Sequence, residues 1–343
     1  MIKTLVDMLV CPSCKSNTLE LHIFGSTSPE NGQDGVVKCT ACNAWYPLED
    51  DLLEYLTGDL AYHDDRAKFW TKYTTQLTML GLSADRPTSQ EVVQQLQTIQ
   101  QKHFDWYAQN DQQTYSAYER RPFWRAADQL TFGGWYPQIQ AGRWLLDIGC
   151  AQGRSTFKFM DLDIHIVGFD ISKHLVRQAI QRYRAAKYAA EAVFFVADGT
   201  HLPFREEVFD YVLIYGVLHH LPEPAQTCRE VSRVLKHGGS YFGSENNASF
   251  FRGIFELLQR LRPQWHEEAG PEALLSADWF NRAFSGTDVT ISTETIVFLP
   301  PHLVNLMSEA AALQLVRWSN ALGQAIPGLR DNGGLINVLG RKA

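Results

Sequence analysis

WLLDIGCAQGRST, residues 144–156, opens on an apolar run, crosses two glycines and closes on two hydroxyl residues. Trp144–Ile148 has the length and composition of a buried strand. Gly149 and Gly153 let the main chain approach a ligand closely. STFKFMD, residues 155–161, is expected to begin a helix. Strand, glycine loop and helix in this order make a nucleotide-type binding turn. Dinucleotide turns usually read G-x-G-x-x-G and avoid an acid that would face the pyrophosphate. Asp147, two positions before the first glycine, suits a ligand with a positive end instead.

Working outward, apolar strands alternate with amphipathic helices. IHIVGFD (164–170), AVFFVAD (192–198), VFDYVLIYGV (208–217) and SYFGSE (240–245) read as further strands. The helix 172–190 has Ser172 as its cap. PEPAQTCREVSRVLKHGG (222–239) reads as a helix with prolines at its start and Gly238–Gly239 at its end. This alternation predicts an α/β fold with a mostly parallel sheet, helices on both faces and a ligand at the C-terminal strand ends. Asp170 ends the second strand, twenty-three positions after Asp147, where a carboxylate can accept both ribose hydroxyls. Asp198 follows the third strand and can accept from an adenine amino group. Two such acids with no phosphate cradle describe an adenosine with a cationic tail, which S-adenosylmethionine fits.

Five stretches, LLDIGCAQGRST, GFDIS, ADGTHLPF, FDYVLIYGVLHHLPEP and REVSRVLKHGG, fall in order over residues 143–245. Together they resemble the class I S-adenosylmethionine-dependent methyltransferases, in particular those that methylate small molecules. The resemblance implies a Rossmann-like seven-stranded sheet closed by an antiparallel sixth and seventh strand. It implies that Asp147, Gly149, Cys150 and Gly153 surround the methionine part of the cofactor. Asp170 and Ile171 would sit at the ribose, Asp198 and Gly199 at the adenine, and Tyr215 to His219 beside the sulfonium. Ala151 stands where that family often has glycine, an intrusion the loop is expected to tolerate. Transfer would be a direct displacement to an acceptor oxygen, nitrogen or carbon. His219 or His220 is the candidate general base, since a histidine near its ordinary pKa can take a proton from a hydroxyl or amine; the alternative is that both are packing. Cys150 reads as a small buried residue beside the cofactor and not a nucleophile, and Cys228 as a helix residue.

Four of the six cysteines form two C-x-x-C pairs near the N-terminus, Cys11/Cys14 and Cys39/Cys42. Two such turns give the four thiolates that a closed structural zinc site prefers. Short strands around Leu19–Phe24 and Val36–Val37, with SPENGQDG (28–35) between them, complete a zinc-ribbon layout. CNAWYPLEDDLLEYL (42–56) resembles the Trm112-like zinc-ribbon family, whose domain accompanies or activates methyltransferases. Four cysteines leave no open coordination position, so zinc is assigned to folding and docking.

The expected domains are therefore a ribbon at 1–57, a helical connector or lid at 58–140 and the methyltransferase domain at 141–343, with acceptor-pocket helices in 246–335. In the connector, Val92, Val93, Leu96 and Ile99 mark an apolar helix face opposite a glutamine-rich one, with a start at Pro87–Glu91. A second helix is interrupted at Pro122. The connector either packs on the next domain or brings Tyr115, Tyr118, Arg120, Arg121 or Arg125 to the cofactor carboxylate. Beyond residue 246, Phe250, Phe251, Ile254, Leu257, Leu258 and Leu261 form a helical apolar stripe. Strands are expected in DVTISTETIVFLPPHL (288–303) and GGLINVLGRK (333–342), and a helix in LVNLMSEAAALQLVRWSNAL (303–322). Trp265, Trp279, Phe280, Phe298, Leu299 and Trp318 are candidates for a partly apolar acceptor pocket, or ordinary packing.

The chain has 343 residues, 45% hydrophobic and 20% charged, with a formal net charge of −7. That balance argues against a broad nucleic-acid surface. No apolar run approaches the roughly 20 residues of a membrane span. Asp7 interrupts the N-terminal apolar run and bulky Val10 precedes Cys11, so a secretory or lipid-anchored start is not expected and a cytoplasmic location is. The function expected is methyl transfer to a small-molecule acceptor (a natural product, lipid-linked molecule or sugar) on oxygen or nitrogen. The alternatives are an RNA methyltransferase with a zinc-ribbon recognition domain and a non-catalytic S-adenosylmethionine-binding module. A nicotinamide-dependent enzyme is disfavoured by Asp147. The sequence leaves the oligomeric state open.

Overall fold

The two cysteine pairs sit in matching turns. Lys15 and Asn43, each directly after the second cysteine of a pair, take left-handed backbone at φ 61° and 57°. Their N–H groups donate to the carbonyls of Cys11 and Cys39 at 2.7 and 2.9 Å. In the computed structural model, which describes residues 1–26, 32–84, 95–110, 117, 119–263 and 275–343, these turns hold a short helix α1 (Ile2–Met8) against four antiparallel strands. The strands are β1 (Leu19–Ser26), β2 (Gln33–Cys39), β3 (Trp45–Glu49) and β4 (Leu52–Glu54). Asp50 and Asp51 close the β3–β4 hairpin with positive φ at both positions, the geometry that matches strand twist.

Two helices, α2 (His63–Lys72) and α3 (Thr74–Met79), pack Phe69, Tyr73 and Leu77 against Val36 and Trp45 of the ribbon. Then come α4 (Gln95–Gln109) and α5 (Pro122–Trp135). The alternating part follows as β5 (Trp144–Ile148), β6 (His165–Asp170), α6 (Lys173–Arg184), β7 (Glu191–Val196), β8 (Phe209–Tyr215), α7 (Pro224–Val234) and β9 (Leu235–Asn246). The chain ends with α8 (Arg252–Leu261), α9 (Ala277–Ala283), β10 (Val289–Ile296), α10 (Pro301–Val304), α11 (Glu309–Ala325) and β11 (Leu335–Lys342).

These strands form one sheet in the order β1-β2-β3-β4-β7-β6-β5-β8-β9-β11-β10. The last seven positions are the expected Rossmann-like sheet, reversing direction of travel at β5. The ribbon is not a separate appendage. β4 pairs in parallel with β7, placing Leu53 opposite Phe195 and Glu54 opposite Val196. The Tyr55 N–H extends the ladder to the Val196 carbonyl at 2.8 Å. The apolar residues of β7 suit a strand covered on both faces and both edges. One core runs from Leu5, Leu9, Tyr46 and Tyr55 to Phe195, Phe204, Phe209 and Val231.

The structure departs from the sequence expectations at several elements. STFKFMD forms a single turn of 3₁₀ helix at Thr156–Lys158, because the hydroxyls of Ser155 and Thr156 are bound to Asp147 and the aromatic residues are poor helix formers. α7 ends at Val234, and Gly238–Gly239 lie inside β9, where Gly238 takes φ 74° and Gly239 packs on the Asp210 carbonyl. Among the last seven positions β11 alone runs against the others, since β10 is antiparallel to β11 and so runs with the rest. The helix expected over 303–322 is broken at Asn305–Ser308, where the Asn305 side chain accepts the Phe123 N–H at 3.0 Å. Pro122 opens α5 at its first turn, where its missing N–H costs nothing. The first half of SPENGQDG, 28–31, and the whole start at Pro87–Glu91 lie outside the described residues, and Gln33–Gly35 belong to β2.

Candidate cofactor and acceptor site

The C-terminal ends of β5, β6, β8 and β9 open on a cavity of about 620 Å³. Gly149, Cys150, Asp170, Ile171, Asp198, Gly199, Tyr215, His219 and His220 all line it. Asp147 and Gly153 do not. Asp147 is fully buried beneath the loop, where its Oδ2 accepts from Ser155 Oγ at 2.8 Å and Thr156 Oγ1 at 2.5 Å. Burial is the main cause that pushes its carboxyl up to about 7. Its Oδ1 is buried without a hydrogen-bond partner among the described residues. Asp147 shapes the loop. Gly153 holds φ 91°, and a Cβ there would meet Phe157 at 2.2 Å.

The loop passes over the end of β6 in a strained turn. Ala151 has φ 48°, left-handed backbone that disfavours a side chain by about 1–2 kcal/mol. Two contacts hold it: its N–H donates to Asp170 Oδ2 at 2.9 Å, and its methyl packs with Ala108 and Leu175. Asp170 also accepts the Ser172 N–H at 2.9 Å, and burial raises its carboxyl to about 6. Each Asp170 oxygen keeps further acceptor capacity for a ligand hydroxyl. Gly149 takes φ 71°, and a Cβ there would strike Val217 at 2.5 Å.

Helix α4 covers this end of the cavity with its glutamine face. Gln97, Gln100 and Gln101 are buried while Ile99 is exposed, the reverse of the amphipathic reading. Gln97 Nε2 donates to Asp198 Oδ2 at 2.7 Å, and Gln101 Nε2 donates to the Leu60 carbonyl at 2.8 Å. Asp105, further along α4, accepts from Tyr62 and Ser172. Asp198 thus reaches the cavity already bound to a side chain from the connector, and burial raises its carboxyl.

Arg120, Arg121 and Arg125 do not line the cavity, and Tyr115 and Tyr118 lie outside the described residues. Arg125 pairs with Glu309. Two arginines line the cavity, Arg252 from α8 and Arg154 from the glycine loop itself. The Arg154 guanidinium lies between the rings of Trp124 and Tyr215, 5.0 and 5.2 Å from their centroids, and 3.5 Å from Asp128. Tyr215 in turn donates to Asp128 at 2.6 Å.

The far wall carries a histidine–carboxylate pair. His219 Nδ1 is 2.6 Å from Glu245 Oε2, and both residues are buried. Glu245 Oε1 accepts the N–H groups of Val217 and Leu218 at 2.9 and 2.8 Å. A carboxylate held this way orients the imidazole with Nδ1–H toward it and leaves Nε2 as the basic nitrogen. His220 lies tilted against His219, 4.0 Å between ring centroids, and meets the Phe104 ring edge-on. Arg154 and Glu245 were not singled out in the sequence, though Glu245 ends a strand as Asp170 does. Of the expected acceptor-pocket residues, Phe298 and Leu299 line the cavity. Phe280 is in the core, with Trp279 packed against it, Trp318 is 64% exposed, and Trp265 lies outside the described residues. Phe104, Tyr107, Phe123, Trp124, Phe251 and Phe255 supply the aromatic wall instead.

The donor set fits the groups the sequence called for. Two strand-end carboxylates face the cavity for an adenosine and Arg154 for a carboxylate. In the ribbon, the sulfurs of Cys11, Cys14, Cys39 and Cys42 all lie within 4.8 Å of one another. Cys11 to Cys42 is 3.7 Å and Cys14 to Cys39 is 3.6 Å. Thiolates about 2.3 Å from a zinc ion form a tetrahedron with edges of about 3.8 Å, so the spacing suits zinc and is too long for disulfides.

Residues 146–243 match the methyltransferase domain family, and residues 3–51 match the Trm112p-like protein family. The chain is 35% identical over 116 residues to 27-O-demethylrifamycin SV methyltransferase of Amycolatopsis mediterranei (34% of this chain, 42% of that protein). It is 28% identical over 165 residues to the mRNA cap guanine-N(7) methyltransferase of Cryptococcus neoformans (42% of this chain, 26% of that protein). It thus spans less than half the length of either. A chain in the complex between the Haloferax volcanii Trm112 methyltransferase activator and a methyltransferase superposes with a TM-score of 0.49 at 17% identity, over 71% of this chain and 97% of that one. This polypeptide therefore carries a Trm112p-like domain and a methyltransferase domain, joined in one sheet.

Proposed function

We propose that the chain is an S-adenosylmethionine-dependent methyltransferase acting on a small-molecule acceptor. The observation that carries this reading is the single cavity bounded by Asp170 and Asp198 at one end and the His219–Glu245 pair at the other. Asp170 would hold the ribose hydroxyls, Asp198 the adenine amino group and Arg154 the carboxylate, with Cys150, Ile171 and Gly199 as apolar or backbone walls. When bound, S-adenosylmethionine supplies an electrophilic methyl group on a sulfonium. The chain supplies orientation and exclusion of water through Phe104, Tyr107 and Trp124. His219 takes the acceptor proton on Nε2, and Glu245 stabilises the imidazolium that forms. His220 forms part of the wall. Zinc, held by the four cysteines, would act in folding and docking of the ribbon and not in catalysis, because no ligand position is open.

The aromatic lining supports an acceptor with an apolar body, and the net charge of −7 disfavours RNA. The name of the rifamycin relative fits an oxygen acceptor on such a molecule. Incubating the protein and methyl-labelled cofactor with cell extract tests the reading. Label is expected in the organic-soluble small-molecule fraction; label confined to RNA would replace this reading with the nucleic-acid one. Asp170→Ala is expected to weaken binding of S-adenosylhomocysteine at least tenfold, about 1.4 kcal/mol. Unchanged affinity by calorimetry would refute the ribose assignment.

A further inference from the structure

Trp124 and Asp128 stand four residues apart on α5 and so share one side of the helix. Phe123, Ala126 and Ala127 pack it against Val304, Val316 and Leu335, so α5 is held in place by the C-terminal elements. Asp128 is buried and meets groups from two other parts of the chain. Its Oδ1 accepts the Tyr215 hydroxyl at 2.6 Å and lies 3.5 Å from an Arg154 Nη2. Its Oδ2 is 2.8 Å from Lys158 Nζ. Arg154 belongs to the glycine loop and Lys158 to the turn that follows it. A single acid of the connector therefore ties both to α5.

For packing alone, an apolar residue of similar volume would serve as well as a buried, paired acid. The surroundings of Arg154 give the acid a task. The rings of Trp124 and Tyr215 flank the guanidinium and fix where it lies. Asp128 adds a direction, drawing one Nη toward α5. A guanidinium binds a carboxylate through a planar fork, so its affinity depends on how that fork is turned. The ribose acid is bound by the same loop, through the Ala151 N–H on Asp170 Oδ2. Arg252, the other arginine of the cavity, instead meets Glu256 of its own helix at 2.9 Å.

We propose that Asp128 is a positioning residue that turns Arg154 to receive the methionine carboxylate of the cofactor. The inference rests on the S-adenosylmethionine reading and adds the connector to it. The connector acts on the carboxylate through a loop arginine and not through Arg120, Arg121 or Arg125 of its own.

Calorimetric titration of the full chain with S-adenosylhomocysteine and with methylthioadenosine tests the proposal. The second ligand keeps the adenosine and the sulfur and has no carboxylate. Asp128→Asn preserves the volume and an acceptor for Tyr215. It is expected to weaken S-adenosylhomocysteine about fivefold or more and to leave methylthioadenosine unchanged, which also shows that the variant is folded. Arg154→Gln should show the same selectivity, and the double variant should bind no more weakly than Arg154→Gln alone. Equal weakening of both ligands by Asp128→Asn would make the residue part of the packing and overturn the proposal. So would full S-adenosylhomocysteine affinity in Asp128→Asn beside a loss in Arg154→Gln. Full affinity in Arg154→Gln would overturn it by removing Arg154 from the carboxylate. A wild type that binds neither ligand would sink the S-adenosylmethionine reading itself, and the proposal with it.

Discussion

Asp147 shows how one residue can be chemically informative while its surroundings stay hidden from the sequence. An acid before the loop was legible; its direction was not, because Ser155 and Thr156 offer it hydroxyls below the loop. Its carboxyl, pushed up to about 7 by burial, stays protonated in the folded chain at pH values where the unfolded chain ionises it. For an acid raised on folding, the stability contribution is present below the unfolded pKa and is lost as pH rises through the folded one. Asp147→Asn keeps an acceptor for both hydroxyls and removes the titration. Between pH 5 and 8 the urea midpoint of the wild type should fall relative to the variant, by an amount worth a few kcal/mol; parallel profiles would show that Asp147 does not carry the effect. Glu245 permits a second test at this scale. Glu245→Gln preserves the volume and the acceptor for Val217 and Leu218, and its amide donates to His219 Nδ1, which puts the imidazole in the wrong tautomer. Turnover should drop about 10²-fold or more, as in His219→Ala, while S-adenosylhomocysteine affinity holds. Retained turnover in both variants would leave the pair as packing.

At the scale of elements, the strands of the alternating half were legible because each is a short apolar run ending in an acid or glycine. Helix faces were less so. In α4 the periodicity located the helix but inverted its buried side, since Gln97 and Gln101 find partners in Asp198, Leu60 and Ile171 that no local pattern reveals. A buried glutamine is tolerable once its amide is bonded. Gln97→Ala should therefore weaken S-adenosylhomocysteine binding by several-fold, about 1 kcal/mol, by freeing Asp198 from its fixed position. An unchanged calorimetric affinity would leave α4 as a passive cover. In α8 the stripe was legible too: Phe251, Ile254 and Leu258 line the cavity, while Phe250, Leu257 and Leu261 stand exposed outside it.

The whole molecule is organised by the join between β4 and β7. Around it, Val10 N–H donates to the Pro203 carbonyl at 3.0 Å, and Arg184 of α6 pairs with Asp50 and Asp51 at the ribbon hairpin. With hydrogen bonds and one core shared across the join, ribbon and methyltransferase sheet are expected to unfold together. Cys39→Ser/Cys42→Ser, or removal of zinc by chelation, should lower the midpoint of a single calorimetric transition by about 5 °C or more. Two separate transitions, with the larger one unmoved, would show the ribbon to be an independent unit. Local signals were enough for the four thiolates, the glycine loop, the strand-end acids and the alternation that makes a parallel sheet, because spacing and periodicity act over a few residues. The parallel pairing of β4 with β7, the glutamine face of α4 over Asp198 and the His219–Glu245 pair join residues 26 to 142 positions apart. Those contacts exist only after the chain has packed, when burial and hydrogen-bond supply across the whole sheet set which side each residue faces.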